Sequence, residues 1–481
     1  MPAPESARHT PRAAVPQADR TPHPVVDGDG HIVEALPVLT EVIRKVAGPD
    51  AADHFLGSSP TYASRSSTDG RLAELTGDQR RPGTWIPPWW SLPGNTLDRA
   101  TAFLPALLHE RMDEIGLDFA VLYPSVGLVA SGHPDDAIRA GACRGVNTYL
   151  AELTDGLQDR MTPAAVVPTH TPDEAIAELE HAVGSLGFKA VLVNNIVERP
   201  VPGGPAGARW YDVLALDSVH DYDPLWRRCV ELGVAVTVHT PTMGIGLRQS
   251  STRYVHNHIG TFAAGGEAFA KALVIGGVAH RFPTLNFAFL EGGVSWGVQL
   301  LADLVGHWEK RGGPNIAALD PAGLDAALWD DLFARHGGTH FAAPGLAAGL
   351  RGQADNPPPD LDDYRGSGIA SPADIARMFE RFYFGCEADD PTIAWAYADS
   401  LNPCGAVLRP LLGSDIGHWD VTDMREVVGE ARELVEHRHL TPAQFREFAC
   451  DNTVRLHGGM NPRFFDGTRV EQYARKLLGH A

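Results

Sequence analysis

The sequence predicts an α/β chain folded as a (β/α)8 TIM barrel. Three observations lead there. Eight short runs of apolar and β-branched residues alternate with stretches of helical spacing. An acid or a histidine stands at the end of most of these runs, where such barrels carry their working groups. The 481 residues suffice for one large barrel with insertions, and no internal repeat or second domain is visible.

Residues 1–24 are rich in Pro, Ala and Arg and are expected to form a disordered tail, with His9 and His23 solvated. The first strand is Val25-Val26-Asp27-Gly28-Asp29-Gly30-His31. Residues two apart on a strand share a face, so Asp29 and His31 point the same way, joined by Asp27 if the strand runs on. A helix succeeds it over 35–47. Residues 48–95 lose periodicity and read as a surface insertion ending in Trp85, Trp89 and Trp90. Those rings need apolar cover, as a structural flap, a dimer contact or a pocket wall.

Asn95 or Thr96 caps the next helix, Pro105 kinks it and Gly116 stops it. Strand two is 118–124, a helix covers 134–155, and strand three is 164–167. Thr171-Pro172-Asp173-Glu174 opens a helix, with a cap, a first-turn proline and acids at its positive end. Strand four is 190–194. A Pro- and Gly-rich loop over 199–209 and a helix near 223–232 lead to strand five, 234–239. Residues 260–281 are mostly helical, strand six is 285–290, and a helix covers 294–310. A second insertion spans 335–372. Strand seven is 382–387, strand eight is 411–415, and helices at about 422–437 and 442–457 complete a barrel domain over 25–470. Residues 471–481 are read as a C-terminal tail.

The balance of 60 acidic against 40 basic residues gives a net charge of −20. That disfavours nucleic acid and anionic membrane surfaces as partners, because both need clustered Lys and Arg. No apolar run is long enough to span a bilayer, and no secretory leader is expected. The five cysteines are scattered without a Cys-x-x-Cys pair, which points to a reducing cytoplasm rather than a disulfide framework.

The strand ends offer Asp29 and His31 (strand one), His239 (five), Glu291 (six), Glu387 (seven) and Asp415 (eight). Two imidazoles and two carboxylates from strands one, five and eight suit one divalent cation with an open position for substrate. Taken singly, each has a plain structural reading, such as a satisfied core histidine or a turn-capping aspartate. Their common placement at one barrel mouth favours a metal site.

These residues resemble the amidohydrolase-related family that includes aminocarboxymuconate-semialdehyde and resorcylate decarboxylases. The resemblance covers about residues 25–470. It rests on the first strand, on Val238-His239, and on Arg281-Phe282-Pro283 running into Phe289-Leu290-Glu291-Gly292-Gly293. Gly413-Ser414-Asp415-Ile416-Gly417-His418 and Asn452-Thr453-Val454-Arg455-Leu456-His457-Gly458 complete it. It implies a metal-dependent barrel with His31, His239 and Asp415 as ligands. Asp29 stands where the family has the first member of a His-x-His or Glu-x-His pair. Glu291 stands where a proton-shuttling histidine is found.

The expected activity is non-oxidative decarboxylation of a small aromatic or unsaturated acid. A metal-dependent hydrolase and a catalytically silent binding barrel are the alternatives. The expected cofactor is one divalent cation, zinc before manganese or iron(II), held by Asp29, His31, His239 and Asp415. Glu291 is the first proton-donor candidate, because a partly buried carboxyl stays protonated longer. His258 and His418 come after it. The expected partners are a small-molecule substrate and a second copy of the chain, with the two insertions available for the dimer contact.

Overall fold

The computed structural model describes residues 21–56, 77–80, 83–87, 92–320, 323–354 and 361–479. The strands are β1 (Val26–Ile32), β2 (Phe119–Pro124), β3 (Met161–Val167), β4 (Ala190–Val193), β5 (Val197–Pro200), β6 (Arg209–Asp212), β7 (Val236–Val238), β8 (Phe287–Phe289), β9 (Phe382–Cys386) and β10 (Arg409–Leu412). Eight of them form one parallel sheet in the order β1-β2-β3-β4-β7-β8-β9-β10. Its two edges meet. The Asp415 N–H donates to Asp29 O at 3.1 Å, and the His31 N–H donates to Ile416 O at 3.0 Å. These bonds bring β1 against the segment after β10 and nearly close the (β/α)8 barrel.

Alternation along each strand sorts the core into two shells. On β2, Phe119, Val121 and Tyr123 face the barrel interior with Val26, Ala164, Leu192, Ala288, Tyr383 and Leu411. Ala120 and Leu122 face outward into the larger cluster beneath the helices. Phe464, Phe465, Cys450 and Val454 from the C-terminal segment join the interior cluster.

Local chemistry explains several element ends. Asn95 caps the helix Thr96–Phe103 by accepting the Asp98 N–H at 2.8 Å. Pro105 does more than kink a continuous helix: Leu104 leaves helical geometry, and a separate helix, Pro105–Ile115, begins. Gly116, left-handed at φ 94°, ends it. Thr171 caps Pro172–Gly184 by accepting the Glu174 N–H.

Four stretches differ from the sequence reading. Residues 199–209 belong to an antiparallel hairpin, β5–β6, held by the Arg199–Asp212 ion pair at 2.5 Å and by Tyr222. Its Pro- and Gly-rich turn hides the alternation. The span read as a second insertion carries helical structure, because an arm over 313–354 contains the helices Ala326–His336 and Leu346–Ala354. Residues read as a tail form the helix Glu471–Leu478, with Ala474 buried and the Tyr473 hydroxyl donating to Asp451 at 2.7 Å. His23 is half-buried against the Phe445 ring at 5.8 Å rather than solvated, and burial lowers its pKa.

His9, Trp89, Trp90 and most of the 48–95 insertion lie outside the described residues. No helix among the described residues is long and apolar enough to cross a membrane.

Candidate metal centre

The first strand positions two donors through a local irregularity. Its pairing with β2 shifts register between Asp27 and Gly30. Asp27 therefore leaves the face of Asp29 and His31 and turns toward the loop after β10. There it accepts the Ser414 N–H at 3.0 Å, the Ser414 hydroxyl at 2.5 Å and the Asp29 N–H at 3.1 Å. Gly30 is required here, since a Cβ would sit 2.5 Å from the Asp27 carboxylate.

Asp29 and His31 are buried at the mouth with His239, which stands just past β7. Asp29 Oδ1 lies 3.7 Å from His31 Nε2 and 3.8 Å from His239 Nε2. Asp415 Oδ1 lies 3.2 Å from His31 Nε2. Glu291 Oε2 lies 3.0 Å from His239 Nε2, and its Oε1 lies 3.5 Å from His258 Nε2. Glu291 and Asp415 each leave a strand end with left-handed φ, 53° and 49°. For non-glycine residues that geometry costs about 1–3 kcal/mol and gathers at functional sites. Gly385 on β9 makes room for one of these turns, because a Cβ there would stand 2.9 Å from the Glu291 nitrogen.

All seven sequence candidates thus meet around one mouth. Ligand atoms of Asp29, His31 and His239 lie within 4.8 Å of one another, as do those of His31, Glu291, Asp415 and His418. His31 belongs to both groups. His258 stands one layer out, in the short helix Tyr254–His258 rather than in an open loop. His418 stacks on His31 at 3.9 Å, with Nδ1 2.6 Å from Asp415 Oδ1 and Nε2 2.9 Å from Ser125 Oγ. Glu387, after β9, is exposed, and its charge acts on Asp415.

The electrostatics are those of a site short of positive charge. Burial pushes Asp29 up to about 8, with Glu291 and Asp27 adding to it against His239. Burial and the charges of Glu291, Asp420 and Glu387 push Asp415 well above the carboxylate range. Burial, His418 and His239 hold His31 well below 6.5, so its ring is neutral, the form that binds metal. Burial works against charge on His239, but Asp29 and Glu291 outweigh it and carry the ring to about 9.

Glu291 differs from its sequence expectation. Burial raises its pKa, yet His239 and His258 overcome this and hold it at about 2. Those two imidazoles favour the ionised form of the carboxyl. The His258 ring is also opposed by burial, but Glu291 raises it above 6.5.

The residues fit a divalent cation. Both ring nitrogens of His31 and His239, Asp29 Oδ1, Glu291 Oε2 and both Asp415 oxygens are buried without a hydrogen-bond partner among the described residues. Buried polar atoms are rarely left so, and a set of imidazole nitrogens and carboxylate oxygens converging on one space is what a metal ion satisfies.

Several contributors escape sequence reading. Asp27 and Ser414 lock the two ends of the barrel together, and Ser125 holds His418. Only the position of Ser125, directly after β2, signals it. An aromatic wall stands over the centre. Phe262 packs on His239 at 4.6 Å and on His258 at 6.1 Å, and Trp419 meets Tyr254 at 5.6 Å. Trp85 and Ile86 cluster with Tyr254, Met243 and Trp419, and the Trp85 N–H donates to Ser250 O at 2.8 Å. The described end of the insertion thus backs the mouth.

The amidohydrolase family model matches residues 26–343. Decarboxylase orsB of Emericella nidulans is 30% identical over 164 residues, 31% of this chain and 43% of the relative. Gamma-resorcylate decarboxylase of Rhodococcus jostii is 28% identical over 158 residues, 33% of this chain and 44% of the relative. The matches therefore span less than half the length of these curated relatives. Among solved structures, 2,6-dihydroxybenzoate decarboxylase from Rhizobium aligns over 90% of this chain and 98% of its own, at 16% identity and a TM-score of 0.49.

Proposed function

The chain belongs to the amidohydrolase family, and on that premise we propose that it is a metal-dependent non-oxidative decarboxylase of a small aromatic or unsaturated carboxylic acid. The observation that carries this reading is the convergence of unpartnered donors from Asp29, His31, His239 and Asp415 on one barrel mouth. The two decarboxylases matched over about a third of the chain support the reaction class.

Asp29, His31, His239 and Asp415 would hold one divalent cation, with zinc placed before manganese or iron(II). Bound there, the cation would supply Lewis acidity, polarising substrate oxygens as the carbon–carbon bond breaks. The chain's own residues do the rest. Phe262, Tyr254 and Trp419 present an aromatic wall, its rings packed edge to face, that suits an apolar ring. The ring carbon that loses CO2 must gain a proton. His258, at the edge of this wall and 3.5 Å from the Glu291 carboxylate, is placed to deliver it. Glu291 orients His258. His418, fixed by Ser125, stands against Asp415 and limits where that carboxylate can sit.

The partner is read as a second copy of the chain. In the 313–354 arm, the helix Ala326–His336 buries none of its own residues. Trp329, Phe333 and Phe341 pack on one another, while Leu324, Leu328 and Leu332, four residues apart, stay 41–51% exposed along one side. A stripe of that kind suits burial against its own copy in a homodimer, which supports the reading.

The test is CO2 release from hydroxybenzoic and unsaturated acids by metal-loaded protein. Release that disappears on chelation and returns with metal supports the reading. Hydrolysis to two non-gaseous products makes the chain a hydrolase, and a protein that takes up no metal is a silent barrel.

A further inference from the structure

We propose that Glu291 is a fifth ligand of the cation rather than a carrier of the proton. This rests on the reading of the barrel mouth as a metal centre and assigns one more donor to it.

The first argument is distance. With bonds of about 2.1 Å to a common ion, neighbouring ligand atoms lie about 3.0 Å apart in an octahedron and about 3.4 Å in a tetrahedron. Glu291 Oε2 is 3.0 Å from His239 Nε2, and Asp415 Oδ1 is 3.2 Å from His31 Nε2. Both match polyhedron edges, and more closely than Asp29 Oδ1, which stands 3.7 and 3.8 Å from the same two nitrogens. The 2.6 Å contact of His418 with Asp415 is shorter than an edge, which marks His418 as a neighbour of a ligand and not a ligand.

The second argument is alignment. Glu291 Oε2 and His239 Nε2 stand at hydrogen-bond distance, yet neither atom has a well-aligned hydrogen-bond partner among the described residues. Two atoms that close and out of line with each other are placed as adjacent donors to a third body. Glu291 divides its labour: Oε1 faces His258, and Oε2 is the oxygen left for the centre.

The third argument is backbone. Asp415 already belongs to the donor set, and it leaves its strand at φ 49°. Glu291 leaves its own strand in the same left-handed turn, at φ 53°. The same uncommon turn is thus used twice to aim a carboxylate into one space. Ligand atoms of Glu291, His31 and Asp415 lie within 4.8 Å of one another.

The experiment is metal binding by the full chain. Metal-free protein is titrated with Zn2+ and with Mn2+ against a competing chelator, and the Co2+-loaded protein is read by its visible absorption. Glu291→Gln keeps size and removes charge. It is expected to lower affinity for both ions at least tenfold and to shift the Co2+ bands, whereas His258→Asn, which leaves every proposed donor in place, leaves the Co2+ bands where they are. If Glu291→Gln does not fold, Glu291→Gly tests the same donor, since the left-handed turn accepts glycine. Wild-type affinity and bands in the Glu291 variant overturn this inference alone. A wild-type chain that takes up no cation overturns it together with the metal-centre reading.

Discussion

Asp27 and Ser414, 387 positions apart in the chain, are joined by two hydrogen bonds, one from the serine N–H at 3.0 Å and one from its hydroxyl at 2.5 Å. The carboxylate that makes them stands two residues before Asp29, and the serine stands one residue before Asp415. The pair sets the spacing of two proposed ligands from opposite ends of the barrel. Asp27→Asn and Ser414→Ala are therefore expected to weaken metal binding about 10–100-fold, the usual effect of removing a group that orients a ligand. Chelator competition gives the affinity, and far-ultraviolet circular dichroism checks that the fold survives.

His258→Asn is expected to lower kcat by about 100-fold or more, the usual contribution of a positioned acid. KM and bound metal should stay near wild type, because His258 contacts Glu291 through the oxygen turned away from the centre. Steady-state kinetics with metal analysis on the same preparation checks this. Equal losses in kcat and metal content would assign His258 a structural role.

Leu328→Asp with Leu332→Asp is expected to convert a dimer into a folded monomer. Both residues are about half exposed in the single chain, 51% and 41%, so the substitutions cost the fold less than core replacements would. Light scattering coupled to size exclusion reads the mass. A wild-type monomer at micromolar concentration would remove the second copy from the proposed partners.

His457 is buried against Phe464, with ring centroids 4.5 Å apart, and neither ring nitrogen has a hydrogen-bond partner among the described residues. Burial lowers its pKa to about 3. A depressed histidine contributes stability that is present above its unfolded pKa of 6.5 and is lost as pH falls toward the folded value. At pH 5 the loss is about 2 kcal/mol. His457→Phe should remove that loss, so its stability advantage over wild type should grow as pH falls from 7 to 5. Denaturant unfolding at the two pH values measures it.

Much of the barrel is legible along the chain because its signals are local. Val25 and Val26 run into acids and glycines and then His31, Asn95 and Thr171 carry cap chemistry, and short apolar runs alternate with stretches of helical spacing. The hairpin β5–β6 and the helix Glu471–Leu478 are not legible in that way. A buried ion pair between Arg199 and Asp212 stabilises the first, and packing against the interior cluster stabilises the second.

The same division runs through the site. Sequence alone determined which residue types end the strands, and hence that Asp29, His31, His239, Glu291 and Asp415 gather at one rim once a parallel barrel closes. It could not decide how their charges balance, because that depends on through-space distances between residues up to 386 positions apart. Tertiary structure turned Asp27 away from the rim through a register shift. It brought two imidazoles onto Glu291, which lower its pKa, and it set His258 3.5 Å from that carboxylate, the arrangement on which the proposed role of His258 rests. Burial strengthens each of these electrostatic contacts beyond its value in water, and burial is a property of the folded assembly, not of any single stretch of chain.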